Sequence, residues 1–241
     1  MPRQQSPTVS IRRHSALTRV THWLNALCLA VLLMSGLQIF NAHPALYWGD
    51  ISTFDTPLFA IEGFPGWATI PSFQALAAGR LWHFFFAWIF VINGLVYVLA
   101  SVLARHFSRD LIPTRVELAG IGRSIGEHIR LRFPKGEEAR RYNVVQQIAY
   151  LIVIFGLLPL IIITGLCMSP QLNADFPWLP ELFGGRQSAR TIHFIAAASL
   201  FAFFIVHILM VVLSGFWNNL RSMITGRYTI EVESHADASK A

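Results

Sequence analysis

Cysteine is scarce in this sequence: Cys28 and Cys167 are the two in 241 residues. Neither belongs to a C-x-x-C-H segment, so covalent attachment of a c-type haem is unsupported. Two cysteines cannot supply the four thiolates of an iron–sulfur cluster. Both sit inside apolar runs and read as small buried hydrophobes, a disulfide between them being the alternative. Charge is scarce too, at 13% of residues against 54% apolar, a balance found in membrane proteins rather than soluble or disordered chains. Acidic residues number 13 against 19 Lys and Arg, for a net charge of +6. That excess invites a nucleic-acid reading, but its distribution assigns it to a membrane. No internal repeat and no low-complexity tract is present.

What the sequence has in abundance is long apolar runs, at about 20–40, 81–104, 147–168 and 190–216. Each is long enough to cross a bilayer as a helix. The basic residues Arg3, Arg12, Arg13 and Arg19 precede the first run, as in a signal peptide. The run spans, however, and no A-x-A-like cleavage site ends it, so it reads as a retained helix. Trp23 suits an interfacial anchor. Pro159 is expected to kink the third run. The fold expected is an all-α integral membrane protein. It is a four-transmembrane-helix bundle forming a single domain over residues 1–225, with 226–241 as a polar tail.

The connections differ in character. Residues 41–80 are interrupted by Pro44, Gly49, Pro57, Gly63, Pro65, Gly66 and Pro71, which rules out a long helix. They also hold Tyr47, Trp48, Phe54, Phe59, Phe64 and Trp67, too many aromatics for disorder. This loop either folds over the bundle end or presents a docking surface. In residues 105–146, Thr114 and Glu117 have capping-box spacing, and Leu118, Ile121, Ile125 and Ile129 recur at helical spacing. A basic amphipathic helix on an anionic membrane surface fits this, as does a solvated surface helix. Of the 19 Lys and Arg, only Arg80, Arg186 and Arg190 fall in the 41–80 and 169–190 connections. The positive-inside rule therefore puts both termini and the 105–146 connection in the cytoplasm, which explains the basic balance without nucleic acid.

Histidines interrupt three of the runs. His193 and His207 are 14 residues apart in the fourth, about 21 Å along a helix axis. At about 100° per residue they fall within about 40° of one another on one face. Ionisable groups at membrane depth are functional candidates, although each alone could be a hydrogen-bonded histidine inside a bundle. His22 opens the first run and His83 the second. With the topology above, His22 and His207 share the cytoplasmic depth, and His83 and His193 share the outer depth. Two imidazoles at each of two depths are what two non-covalent, bis-histidine b haems require. Gly36 follows His22 by 14 residues and Gly94 follows His83 by 11. Each glycine thereby offers a side-chain-free patch at the opposite haem depth, with ordinary helix packing at small residues as the alternative. Arg12, Arg13, Arg19 and Arg80 are candidate propionate partners, or else lipid-headgroup contacts. His14, His43, His106, His128 and His235 lie outside the spans and receive no role.

Arg19-x-x-His22-Trp23, His83 and His193-x₁₃-His207 make the chain resemble the bacterial cytochrome b561 / nickel-hydrogenase cytochrome b superfamily over about residues 14–225. Its long aromatic loop and the closing FWNNLRSMITGRY are most similar to the thiosulfate reductase cytochrome b subunit branch, the membrane-anchoring proteins. The resemblance implies a di-haem b subunit of the bacterial inner membrane. It would relay electrons between membrane quinone and a periplasmic redox partner, in that branch a molybdopterin oxidoreductase. The docking face would be 41–80 with 169–190. Two further classes stand beside it. One is a stand-alone cytochrome b561-like superoxide:quinone oxidoreductase, which needs a basic approach to the outer haem. The other is a haem-free transporter or assembly factor.

Overall fold

The computed structural model describes residues 8–105, 107, 111–129 and 143–231. In chain order the elements are β1 (Thr8–Arg12), α1 (Ala16–Phe40), β2 (Ala45–Leu46), β3 (Phe59–Ala60), α2 (Leu76–Leu103), α3 (Arg115–Ala119) and α4 (Ile121–Ile129). There follow α5 (Val144–Ile152), a π-helical turn (Val153–Leu157), α6 (Leu158–Cys167), α7 (Pro170–Asp175), α8 (Trp178–Glu181), α9 (Arg186–Leu213), α10 (Phe216–Thr225) and β4 (Arg227–Glu231). The chain is mostly helical. It departs from the all-α expectation by two small antiparallel pairings, β1 with β4 and β2 with β3.

Four helical segments are long and apolar enough to cross a membrane: Ala16–Phe40, Leu76–Leu103, Val144–Cys167 and Arg186–Leu213. They coincide with the four apolar runs but begin earlier. Polar chemistry, not hydrophobicity, sets the starts. The Ser15 hydroxyl accepts from the Thr18 amide at 3.1 Å, an N-cap that starts α1 ahead of the apolar run. The first turn of α9 is capped by a loop: the Gln187 and Ser188 amides donate to the Gly49 carbonyl at 2.9 and 3.1 Å. Gly215, at φ 109°, ends the last span. In the third span the disturbance expected at Pro159 takes the form of the π-helical turn immediately before α6, in which Pro159 is the second residue.

Burial is inverted relative to a soluble protein. Ser35, Thr164 and Ser188 are fully buried, whereas Leu81, Trp88 and Leu103 are 73%, 68% and 85% exposed. Small hydroxyl residues let helices approach while bulky apolar side chains face lipid. Cys28 and Cys167 are buried free thiols. Asn93 donates to Asn25 at 2.6 Å, joining α1 and α2 through a polar pair at membrane depth.

Two compact units are present. One comprises residues 22–96 and 153–203; the other comprises the described residues of 1–21, 97–152 and 204–241. In the second unit β1 pairs with β4 from Thr8↔Glu231 to Arg12↔Arg227, so part of the expected polar tail is a strand. Arg19 donates to the Ile224 carbonyl, and the Arg13 guanidinium lies 4.4 Å from the Tyr228 ring centre. The capping box at Thr114 and Glu117 is present. Over the stretch expected to form a surface helix, α3 and α4 are present through Ile129, with Gly120 between them. Arg3, Arg109, Arg130, Arg132, Lys135, Arg140 and Arg141 lie outside the described residues, as do His106 and His235.

Candidate functional site

His83, on α2, and His193, on α9, come together in the unit of residues 22–96 and 153–203. Their ring centroids are 6.3 Å apart, with 60° between the ring planes. Each ring is held from behind by a hydroxyl. Ser35 Oγ, on α1, is 3.1 Å from His83 Nδ1, and Thr164 Oγ1, on α6, is 3.2 Å from His193 Nδ1. Beside each hydroxyl is a glycine. A Cβ built on Gly36 would lie 3.5 Å from His83 Cε1, and one on Gly165 would lie 3.3 Å from His193 Cε1. Four helices thus build the pair: two carry the imidazoles and two carry the hydroxyl–glycine seats.

Two imidazoles on opposite sides of one first-row metal ion, with bonds of about 2.0–2.1 Å and about 1.1 Å from nitrogen to ring centre, place their centroids about 6.3 Å apart. His83 and His193 have that spacing. Among the described residues no cluster of three or more His, Cys, Asp or Glu side chains assembles. The spacing of the pair fits two ligands of a metal that arrives with its remaining ligands already in place, as iron does in haem. The donor set is neutral imidazole, which matches b-type ligation.

Gly36 lies against the His83 ring, so its missing side chain makes room for an imidazole and not only for a flat macrocycle. Gly94 differs, since a Cβ there would meet nothing within 4 Å among the described residues. His22 lies on α1 with its ring centroid 5.3 Å from that of Trp23. His207 lies on α9. His22 belongs to the first unit and His207 to the second. Ser35, Thr164 and Gly165 are absent from the residues singled out in the sequence. The third span has no histidine, and attention to ligands alone passes over it. The signal available was a hydroxyl–glycine dipeptide at membrane depth in two spans, Ser35-Gly36 and Thr164-Gly165.

The loop after α1 folds onto the start of α9 and also leaves aromatics outside. Arg190 donates to the carbonyls of Ala45 (2.9 Å) and His43 (2.5 Å), and Thr191 donates to the Tyr47 carbonyl at 2.6 Å. Asn41 and Phe64 exchange two hydrogen bonds, of 2.9 and 2.7 Å. Trp48, Phe54, Trp67 and Phe73 remain 58–83% exposed. Of the candidate propionate partners, Arg13 and Arg19 are engaged with Tyr228 and the Ile224 carbonyl, and Arg80 lies 5.6 Å from the Phe84 ring centre.

Comparison with known proteins matches residues 13–226 to the family described as prokaryotic cytochrome b561. The chain is 30% identical over 200 residues to the putative protein-methionine-sulfoxide reductase subunit YedZ1 of Azospira oryzae (strain ATCC BAA-33 / DSM 13638 / PS), covering 83% of this chain and 90% of that protein.

Proposed function

From a chain that belongs to the prokaryotic cytochrome b561 family, and is therefore a multi-pass membrane haem-binding subunit, we propose an electron relay between the quinone pool and a periplasmic molybdopterin-type redox partner. The observation that carries the proposal is the His83–His193 pair, at bis-imidazole spacing with each Nδ1 turned to a buried hydroxyl. Haem held by His83 and His193 would supply one-electron Fe(III)/Fe(II) chemistry. His83 and His193 hold the outer haem, and His22 and His207 hold the inner one toward the cytoplasmic face and the quinone. The spacing of His193 and His207 on α9 supports this second pair.

The relative from Azospira oryzae is named as a reductase subunit. That favours a partner that consumes electrons, with flow from quinol outward. The exposed aromatics of 41–75 and the neighbouring Phe176, Trp178 and Leu182 are the docking face in this scheme. A superoxide-oxidising role draws no support from the basic residues there. Arg186 donates to the Met168 carbonyl, Arg190 donates to those of His43 and Ala45, and Arg80 lies against the Phe84 ring.

Haem content tests the proposal. Purified protein is expected to carry two b haems per chain, both low-spin and both released by acid–acetone. One haem or none, measured as the pyridine haemochrome, contradicts it. Orientation in the inner membrane is tested separately. A phosphatase or fluorescent reporter within 105–146 is expected to behave as cytoplasmic, and one within 41–80 as periplasmic. The inverse pattern exchanges the two haem depths and moves the docking face.

A further inference from the structure

We infer that Ser35 and Thr164 are positioning residues for the haem held by His83 and His193, fixing the proton of each ligand on Nδ1 and setting the potential of that haem alone. The inference rests on the function proposed above.

The proton count follows from the hydroxyls' other bonds. Ser35 Oγ donates to the Val31 carbonyl at 2.7 Å, and Thr164 Oγ1 donates to the Leu160 carbonyl at 2.7 Å. Each hydroxyl has one proton, and these short bonds within the helix occupy it. What remains for the imidazole is a lone pair. An oxygen lone pair and an unprotonated Nδ1 repel at 3.1–3.2 Å, so Nδ1 carries the hydrogen and donates it to the hydroxyl, with a backbone carbonyl of the same helix beside it, Leu32 for His83 and Ile161 for His193. The unprotonated nitrogen is then Nε2, the one available to iron. Both hydroxyls are fully buried, so water does not compete for the bond.

The arrangement occurs twice. A back-bonded hydroxyl on α1 or α6 orients the ring, and the glycine that follows it admits the ring. An N–H bonded to an acceptor makes the imidazole a stronger electron donor to its metal. A neutral hydroxyl does this more weakly than a carboxylate. Loss of the bond weakens donation to Fe(III) and raises the potential.

The experiment is a redox titration of the full chain in detergent or nanodiscs, following the two haem absorbance components. Ser35→Ala and Thr164→Val are each expected to raise the potential of the same component, the one that contains His83 and His193. The oxidised-to-reduced ratio at fixed potential should change about threefold to tenfold, tenfold being about 59 mV for one electron. The other component stays in place, and Ser35→Thr and Thr164→Ser retain the wild-type potential. Loss of the component in Ser35→Ala that Ser35→Thr restores also supports the inference. Loss that Ser35→Thr does not restore overturns it, as do unshifted potentials in both variants or equal shifts of both components. Wild-type protein without bis-histidine haem instead overturns the proposed function, whereas unshifted variants of a fully loaded protein overturn this inference alone.

Discussion

Replacing His83 with alanine is expected to delete the same haem absorbance component as replacing His193, and to leave the other standing. The two side chains come from α2 and α9, far apart in sequence, yet their rings are 6.3 Å apart. Removing either leaves a metal with one protein ligand. Low-spin b haem needs two, so loss of the component should be complete. His22→Ala and His207→Ala are expected to delete the other component together. The measurement is the reduced-minus-oxidised spectrum of each purified variant. A match between His22→Ala and His193→Ala would falsify the pairing by depth. With the His83–His193 haem gone, quinol should still reduce the remaining haem. With the His22–His207 haem gone, quinol reduction should collapse, while a periplasmic-side donor still reduces the other.

Leucine at Gly36 or Gly165 is expected to abolish the His83–His193 component nearly as fully as loss of a ligand. A Cβ at Gly36 would stand 3.5 Å from His83 Cε1, an ordinary contact, so Gly36→Ala retains the haem. At Gly165 the corresponding distance is 3.3 Å, and His193 must give by a few tenths of an ångström. Gly165→Ala should therefore bind haem with a displaced absorbance maximum. The branched side chain of leucine claims the volume of the imidazole itself, an overpacking that costs about 1–3 kcal/mol in a well-packed site. Gly94→Leu is the control: a Cβ there meets nothing within 4 Å among the described residues, so the His83–His193 component persists. Retention of both components, unshifted, in Gly165→Leu would mean that the seat on α6 does not position His193.

The spans were legible because they obey simple periodicities. A run of some twenty apolar residues has few interpretations, and a spacing of 14 on a helix fixes both depth and face. The helix starts were not legible from hydropathy, since Ser15 and the Gly49 carbonyl set them through hydrogen bonds. The strands β1 and β4 escaped notice because each is short and finds its partner at the far end of the sequence. Thr164 and Gly165 escaped for another reason. Both lie against the His193 ring, and neither is a metal-donor residue type. The aromatic loop was ambiguous in sequence between a cover and a docking surface. In the structure its early part is bonded to α9, while Trp48, Phe54 and Trp67 remain exposed.

The small pairing of β2 with β3 has a bearing on how such a protein can diversify. Ala45 faces Ala60 and Leu46 faces Phe59, and the Leu58 amide closes onto the Leu46 carbonyl. This knot ties off residues 47–58 at their base. Tyr47, Gly49 and Asp50 touch α9, two to seven residues before His193. Beyond them Ile51, Phe54 and Leu58 are 62–73% exposed. Length and sequence can drift between Ile51 and Leu58 as in any exposed loop tip, while the knot keeps that drift from reaching the ligand helix. On the function proposed above, a lineage built on this plan can exchange one docking partner for another by rewriting a few residues, and inherit its wiring unchanged.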